Sequence, residues 1–280
     1  VPEPSPSRSV DPDRPPLDAA RVSAALTADS GLWRSLEVVE EVGSTNAVLV
    51  AAAAEEAPEG TVLVAEHQAA GRGRLARTWT SPPRAGLTVS LLLRPDVPAA
   101  RRGWLPLLTG VALAEAVAEV PGVRASLKWP NDLLAADGAK LAGILAEVAS
   151  GAVVVGVGLN VSTHAGELPE GGTSLALAAG APVDRAAVLL RFLRGFERRY
   201  LAWVQALGDP VGSGLARDYL AWSSTVGTPV VVTLPDGSSV DGVAEAVDWD
   251  GRLVVRTAAG RLELASGDVR HVRGASPGRL

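Results

Sequence analysis

The 280-residue chain contains no cysteine and no methionine. Without cysteine there are no disulfides, thiolate metal sites or thiol nucleophiles, which agrees with a reducing, cytoplasmic setting. The three histidines, His67, His164 and His271, lie in separate regions, so they suggest no metal cluster. No run of about 18 uncharged apolar residues occurs, so no membrane span is expected. The start, Val1 to Pro16, is rich in Pro, Ser, Asp and Arg and offers no apolar stretch for a translocon to read. Ser44, Ser90 and Ser174 all lack a Gly-x-Ser-x-Gly setting, which argues against a serine hydrolase. With 26 basic and 31 acidic residues the net charge is -5, so the broad positive surface of a nucleic-acid binder is missing.

What remains is a globular composition, 47% hydrophobic and 20% charged, long enough for one or two domains. Residues 1–16 read as a disordered tail, because their few apolar side chains cannot offset the entropy of ordering. A short amphipathic helix is expected over 17–29 and an alternating strand over 33–41. Ser44 and Thr45 are suited to cap a helix over 46–56. Strands are expected over 61–67, 87–93, 124–129, 140–148 and 152–161, with a hairpin turn at Asp137-Gly138. Helical spacing marks 102–119, 184–207 and 215–222, whereas 166–180 reads as a loop with a small helical turn at best. This order predicts an α+β fold, a mixed sheet with helices packed on it. After Thr225 five short strands separated by tight turns predict a small SH3-like barrel. The expected divisions are therefore a tail (1–16), a main domain (17–225), the barrel (226–273) and a loose tail (274–280).

Four motifs can carry chemistry. In Gly71-Arg72-Gly73-Arg74-Leu75-Ala76-Arg77 three guanidinium groups alternate with glycines that permit close backbone approach. Such a loop can fold over an anion, and its self-repulsion predicts mobility when empty. An ordinary solvated loop is the alternative. It is not a nucleotide-triphosphatase phosphate loop, because no Gly-Lys-Ser/Thr ending is present. In Lys128-Trp129-Pro130-Asn131-Asp132 the proline stops a strand and leaves Asn131 and Asp132 at its mouth. Asp132 there is either a Mg²⁺ ligand or part of a polar turn. Lys140 begins an apolar strand interrupted by Gly143, which fits either a flat ligand lying on the sheet or a bulge. Gly156 and Gly158 leave a trough in the strand that ends at Asn160, a possible hydrogen-bond donor to a nucleotide. Trp79, just after the arginine loop, can stack on a base or pack in the core. His67 can act as a base, although a lone histidine is more often structural.

Taken together and in order, Gly43-Ser44-Thr45-Asn46, Glu66-His67-Gln68, the arginine loop, Trp79, Ser81-Pro82 and the three later blocks closely resemble biotin–protein ligases, over about residues 35–272. The resemblance implies a catalytic domain of the class II aminoacyl-tRNA synthetase/biotin ligase type and two substrates, biotin and ATP, with Mg²⁺. Biotin carboxylate would attack the ATP α-phosphorus to give biotinyl-5'-AMP, and a lysine of a biotin carboxyl carrier domain would then take the biotin. In these terms Ser44, Thr45 and Gln68 resemble ureido-ring ligands, with Asn46 beside them in the biotin site. Arg72 resembles the clamp on carboxylate and phosphate, Arg74 the residue that retains the adenylate, and Lys140 the lysine that neutralises carboxylate and α-phosphate. Gly71 and Gly73 would let the loop close. Trp79 resembles the adenine-stacking ring, Asn131 and Asn160 nucleotide-side donors, and Asp132 the Mg²⁺ ligand. Gly143, Gly156 and Gly158 would line the ligand trough.

Ala76 stands where the family often has a further glycine, and a small change in loop mobility is expected from it. The stretch before the likeness is too short for the winged helix-turn-helix of some relatives, so no operator binding is expected. Partners would be carrier domains of acyl-CoA carboxylases, with pyruvate carboxylase a further candidate, and the chain would be a monomer or a weak ligand-dependent homodimer. The nearest rival is a lipoate–protein ligase-like acyl-adenylate transferase, which lacks the close match to the arginine loop. The related octanoyl transferases need a cysteine that this chain does not have. A non-catalytic adaptor is the remaining alternative, and it predicts no pyrophosphate release.

Overall fold

The computed structural model describes residues 14–75 and 77–272. Seven strands form the main sheet: β1 (Ser35–Val42), β2 (Thr61–Gln68), β3 (Gly86–Leu93), β4 (Ala125–Lys128), β5 (Asp132–Ala135), β6 (Lys140–Ala149) and β7 (Ala152–Asn160). Their order is β1-β2-β3-β7-β6-β5-β4. β1 and β2 run parallel and every other neighbouring pair is antiparallel, so the expected mixed sheet is present.

The two faces of the sheet differ because strand side chains alternate. One face of β3 and β7 carries Leu87, Val89, Leu91 and Leu93 with Val153, Val155, Val157 and Leu159, all in the main core. Helices α1 (Ala19–Thr27), α3 (Trp104–Ala118), α5 (Arg185–Gln205) and α6 (Leu215–Trp222) belong to that side. α3 buries residues around its whole circumference, as a helix enclosed by other elements must. α5 buries a single stripe, including Val188, Leu189, Phe192, Phe196, Tyr200 and Trp203, against that core.

The opposite face is apolar at one end only. There α2 (Thr45–Ala54) packs Leu49 and Ala53 against Leu63, Leu92 and Val154. Further along the same face the side chains become Ser90 and Thr88 on β3, Gly156 and Gly158 on β7, and Gly143 on β6. They are paired across strands as Ser90–Gly156, Thr88–Gly158 and Gly143–Gly158. That small, polar half forms the floor of the cavity.

The chain enters this fold earlier than its composition suggested. Arg14 is 5% exposed, and its guanidinium donates to Glu167 and to the Ser162 carbonyl. The Pro15 carbonyl accepts from Arg185, and the Leu17 amide donates to Glu66. The expected tail of 1–16 is thus corrected at residues 14–16, because buried charges supply the contacts that apolar side chains do not. Residues 1–13 of that tail, the 274–280 tail and Ala76 lie outside the described residues. The 166–180 stretch carries a little more order than expected, with one five-residue helix, α4 (Leu175–Ala179), capped by Ser174.

Beyond α6 come β8 (Pro229–Thr233), β9 (Ser239–Val247), β10 (Leu253–Thr257), β11 (Gly260–Leu264) and β12 (Asp268–His271). They form an antiparallel sheet ordered β11-β10-β9-β8-β12, the expected SH3-like domain. It is fixed to the main domain at its β9–β10 turn. Trp104 Nε1 donates to the Asp248 and Trp249 carbonyls at 3.1 and 3.0 Å, and Trp129 Nε1 donates to the Gly251 carbonyl at 3.2 Å. Arg101 adds an ion pair to Asp250 at 2.5 Å and lies over the Trp249 ring. Thr225, fully buried where the domains meet, accepts from the Trp129 amide and lies 3.1 Å from His271 Nε2.

Candidate functional site

One cavity gathers most of the residues singled out in the sequence. Its inner end is built at the start of α2. Ser44 has extended backbone and caps the helix with its hydroxyl, which places Thr45 and Asn46 on the first turn beside the sheet. The Thr45 amide and hydroxyl both donate to Gln68 Oε1, at 2.8 and 3.0 Å. Those two donors fix the orientation of the Gln68 amide, leaving its Nε2 as the donor end. Asn46 is equally constrained. Its Nδ2 donates to Glu147 Oε2 at 2.7 Å and to the Leu145 carbonyl at 3.2 Å. Ser90, fully buried in β3, holds its hydroxyl 2.7 Å from both Thr45 Oγ1 and Asn46 Oδ1. Ser90 and Glu147 therefore organise this end of the site. The sequence assigned neither a role in the site, although Glu147 closes the block that begins at Gly138.

The glycines on the sheet have defined occupants. A Cβ on Gly156 would collide with the Asn46 amide, and one on Gly158 would enter the Trp79 indole. Gly143, opposite Gly158, faces both Trp79 and the Lys140 side chain. The trough foreseen for a ligand thus first receives a protein ring, with Trp79 lying on the sheet at Gly158. The Lys140 Nζ lies 6.0 Å from the centre of that ring and forms an ion pair with Asp132 Oδ1 at 2.6 Å.

The arginine loop lies over this floor. Gly71 and Trp79 are joined by a backbone hydrogen bond, Arg72 bridges to Thr78, and Gly73 N–H donates to the Arg77 carbonyl at 2.7 Å, which makes the segment a narrow hairpin. Gly71 is buried where a Cβ would strike the Trp79 carbonyl. Arg72 is exposed and lines the cavity. Arg74 donates to Asn131 Oδ1 at 3.2 Å and to the Gly267 carbonyl of the barrel at 3.3 Å. Burial lowers the Arg74 pKa, against the opposing pull of Asp132 and Asp268. Arg77 pairs with Asp268 at 2.5 Å. Burial alone would raise the Asp268 pKa, but the Arg77 hydrogen bond and the charges of Arg77, Lys128 and Arg74 outweigh it, so the carboxyl sits below its ordinary range. Gly267 and Asp268 are therefore part of the cavity wall, a contribution of the barrel that motif reading did not find.

Three residues raised by the sequence lie elsewhere. Gly71 supports the hairpin from below and is not in the lining. Asn160 is buried outside the cavity, and its Nδ2 donates to the Thr173 carbonyl at 3.0 Å. His67 turns to Glu41, with its Nδ1 3.0 Å from that carboxylate.

Asp132 and Asp268 are the carboxylates in the cavity lining, Asp268 taken up by Arg77, and no cluster of three or more metal-ligating side chains exists among the described residues. One of the Asp132 oxygens makes no aligned hydrogen bond, only the ion pair to Lys140. A single such carboxylate fits Mg²⁺ held jointly with phosphate oxygens, and not a cage made of protein alone.

Comparison with known proteins agrees across both domains. The Biotin/lipoate A/B protein ligase family matches residues 38–163, and the Biotin protein ligase C terminal domain matches residues 225–272. A biotin–[acetyl-CoA-carboxylase] ligase of Mycobacterium tuberculosis is 44% identical over 265 residues, covering 93% of this chain and 97% of that protein. A biotin–[acetyl-CoA-carboxylase] ligase of Paracoccus denitrificans is 33% identical, covering 74% and 88%. The biotin protein ligase of Aquifex aeolicus in complex with biotin and ATP superposes with a TM-score of 0.72 at 29% identity, over 86% of this chain and 100% of that one.

Proposed function

The chain belongs to the biotin–protein ligase family, and from that membership we propose how its cavity carries out the two-step reaction. The enzyme uses ATP to activate biotin as biotinyl-5'-AMP, then transfers biotin to a lysine on the biotin carrier domain of a carboxylase.

In the first step a biotin carboxylate oxygen bonds to the α-phosphorus, and the bond from that phosphorus to the bridging oxygen of pyrophosphate breaks. Both reactants are anions, so their approach needs fixed positive charge, and the transition state gathers more charge on the phosphorus oxygens. Arg72, Arg74 and Lys140 supply that charge from one cavity wall and its floor. At the other end Ser44, Thr45 and Gln68 receive the ureido ring. Thr45 gives its proton to Gln68, so its oxygen faces the ring as an acceptor and Gln68 Nε2 faces it as a donor. Trp79 offers a face to adenine. Asp132, with phosphate oxygens, would hold Mg²⁺, whose charge eases departure of pyrophosphate.

In the second step the carrier lysine amine attacks the biotinyl carbonyl, the bond to the AMP oxygen breaks, and a proton leaves the new amide nitrogen. Until then the Arg72–Arg77 hairpin, anchored to the barrel, shields the mixed anhydride from water. We assign the enzyme to the cytoplasm, with acetyl-CoA carboxylase carrier domains as acceptors and pyruvate carboxylase as a second acceptor. It acts as a monomer or a weak ligand-dependent homodimer.

The observation that carries this reading is the placement of the three cations, the Thr45–Gln68 pair and Trp79 in the lining of one cavity. The test is pyrophosphate release from purified protein given ATP with biotin or with lipoate, followed by transfer to a carrier lysine. Biotin-dependent release and a labelled carrier are expected. Folded protein that releases no pyrophosphate with biotin, or that prefers lipoate, overturns it.

A further inference from the structure

We propose that residues 14–17 form a strap that positions the wall around Lys140, with Arg14 as a positioning residue acting through Glu167. The proposal rests on the biotin-ligase reading of the cavity.

The strap has two anchors, each two residues ahead of a cavity residue. At the first, Glu66 accepts from the Leu17 amide at 2.6 Å and pairs with Arg185 at 2.7 Å. Arg185 in turn donates to the Pro15 carbonyl. Glu66 precedes Gln68 on β2. At the second, Arg14 grips Glu167 with both nitrogens of its fork, at 3.1 and 2.5 Å, and donates to the Ser162 carbonyl at 3.2 Å. Glu167 precedes Pro169, which lines the cavity.

From Pro169 the contacts lead directly to Lys140. The Gly171 carbonyl accepts from the Lys140 amide at 2.7 Å, and the Thr173 amide donates to the Lys140 carbonyl at 2.9 Å. The backbone of Lys140 is thus held by the 171–173 segment and its ammonium by Asp132. These two restraints are independent. Freeing the segment loosens the wall but leaves the ammonium in place.

A planar, bidentate arginine–carboxylate pair, its arginine 5% and its glutamate 33% exposed, is a directional restraint that a loop of Gly, Pro and Glu does not supply by itself. Glu167 also accepts from the His164 amide, so the carboxylate that Arg14 holds is the one that shapes the loop. The Arg14 hydrogen bond is the main reason the Glu167 carboxyl lies below its ordinary range. The function that follows is retention. The strap keeps the wall shut on the activated biotin between the two steps, while the chemistry of the first step remains with the cations.

The experiment compares wild type, Arg14→Ala, Arg14→Lys, Glu167→Gln and the double variant Arg14→Ala/Glu167→Gln. Dissociation of preformed biotinyl-5'-AMP and the single-turnover rate of pyrophosphate release are measured well below each thermal midpoint. Both Arg14→Ala and Glu167→Gln are expected to release the adenylate about tenfold faster, which corresponds to about 1.4 kcal/mol. Pyrophosphate release should stay within about twofold of wild type. The double variant should be no worse than either single one, and Arg14→Lys should fall between, because an ammonium cannot make the forked contact. Wild-type release rates in Glu167→Gln, or additive effects in the double variant, overturn the strap. So does an equal loss of both steps, the mark of a merely structural role. If wild type itself forms no adenylate, the biotin-ligase reading fails, whereas adenylate formation with unchanged retention in the variants defeats the strap alone.

Discussion

The indole of Trp79 rests directly on the α-carbon of Gly158, where a methyl group would enter the ring. This tryptophan of the cavity lining can occupy its place only because β7 carries no side chain there. Gly158→Ala should therefore lift the ring and weaken adenine binding, since an aromatic face is worth about 1–3 kcal/mol to a base. Steady-state kinetics should show KM for ATP rising about tenfold, with KM for biotin changed much less. An unaltered KM for ATP would remove Trp79 from the nucleotide site.

Arg72 and Arg74 should separate functionally. On the proposed assignment Arg72→Ala removes charge at the reacting centre, so single-turnover pyrophosphate release should fall by about 10²–10³, the usual loss for a transition-state donor. Arg74 also spans Asn131 and the barrel carbonyl of Gly267. Arg74→Ala should still make adenylate but lose it, and label bystander amines. Equal adenylate dissociation before and after that substitution would contradict the assignment.

Asp268 ties the hairpin to the barrel through Arg77, and both side chains are about half exposed. Exposed pairs contribute roughly 0–1 kcal/mol. Asp268→Asn should therefore raise the adenylate dissociation rate no more than about fivefold, without moving the melting temperature. A larger loss accompanied by unfolding would mean that the contact holds the domains together instead.

Glu66 and Arg185 are 2% and 7% exposed at the side chain. Breaking such a pair leaves an uncompensated buried charge, which costs about 3–5 kcal/mol. Glu66→Gln should lower stability to urea by an amount of that order, and a loss below about 1 kcal/mol would show that water reaches the pair.

The pKa of His271 is lowered, first by burial and then by Lys128. The unfolded chain therefore takes up the proton at a higher pH than the folded one. Stability conferred by neutral His271 is complete above the ordinary histidine value of about 6.5, and is lost as pH falls from there through the lower folded value. His271→Gln should flatten that part of a stability–pH curve, and an unchanged slope would locate the titration elsewhere.

Much of this was legible in the sequence because the functional groups are clustered along the chain. Gly71 to Arg77, Lys128 to Asp132 and Gly156 to Gly158 each announce a backbone that must approach something closely. Their partners were not legible. Ser90 is an ordinary serine in an apolar strand, and only the register with Gly156 places it behind Thr45 and Asn46. Gly267 and Asp268 reach the cavity by a domain contact between residues nearly 200 positions apart. Asn160 follows two cavity glycines, and the bond from its amide to the Thr173 carbonyl was likewise not legible. Arg14 was hidden by proline-rich composition, which reports the scarcity of apolar burial and not the presence of a buried cation with its own acceptors.

The two indoles that reach from Trp104 and Trp129 into the β9–β10 turn bear on how firmly the small barrel is held. Swinging the small barrel aside would uncouple three indole hydrogen bonds and the Arg101–Asp250 pair together. Among the described residues, lifting the arginine hairpin breaks its light side-chain contacts to Gly267, Asp268 and Asn131. Parting the two domains therefore breaks more contacts than lifting the arginine hairpin from the barrel.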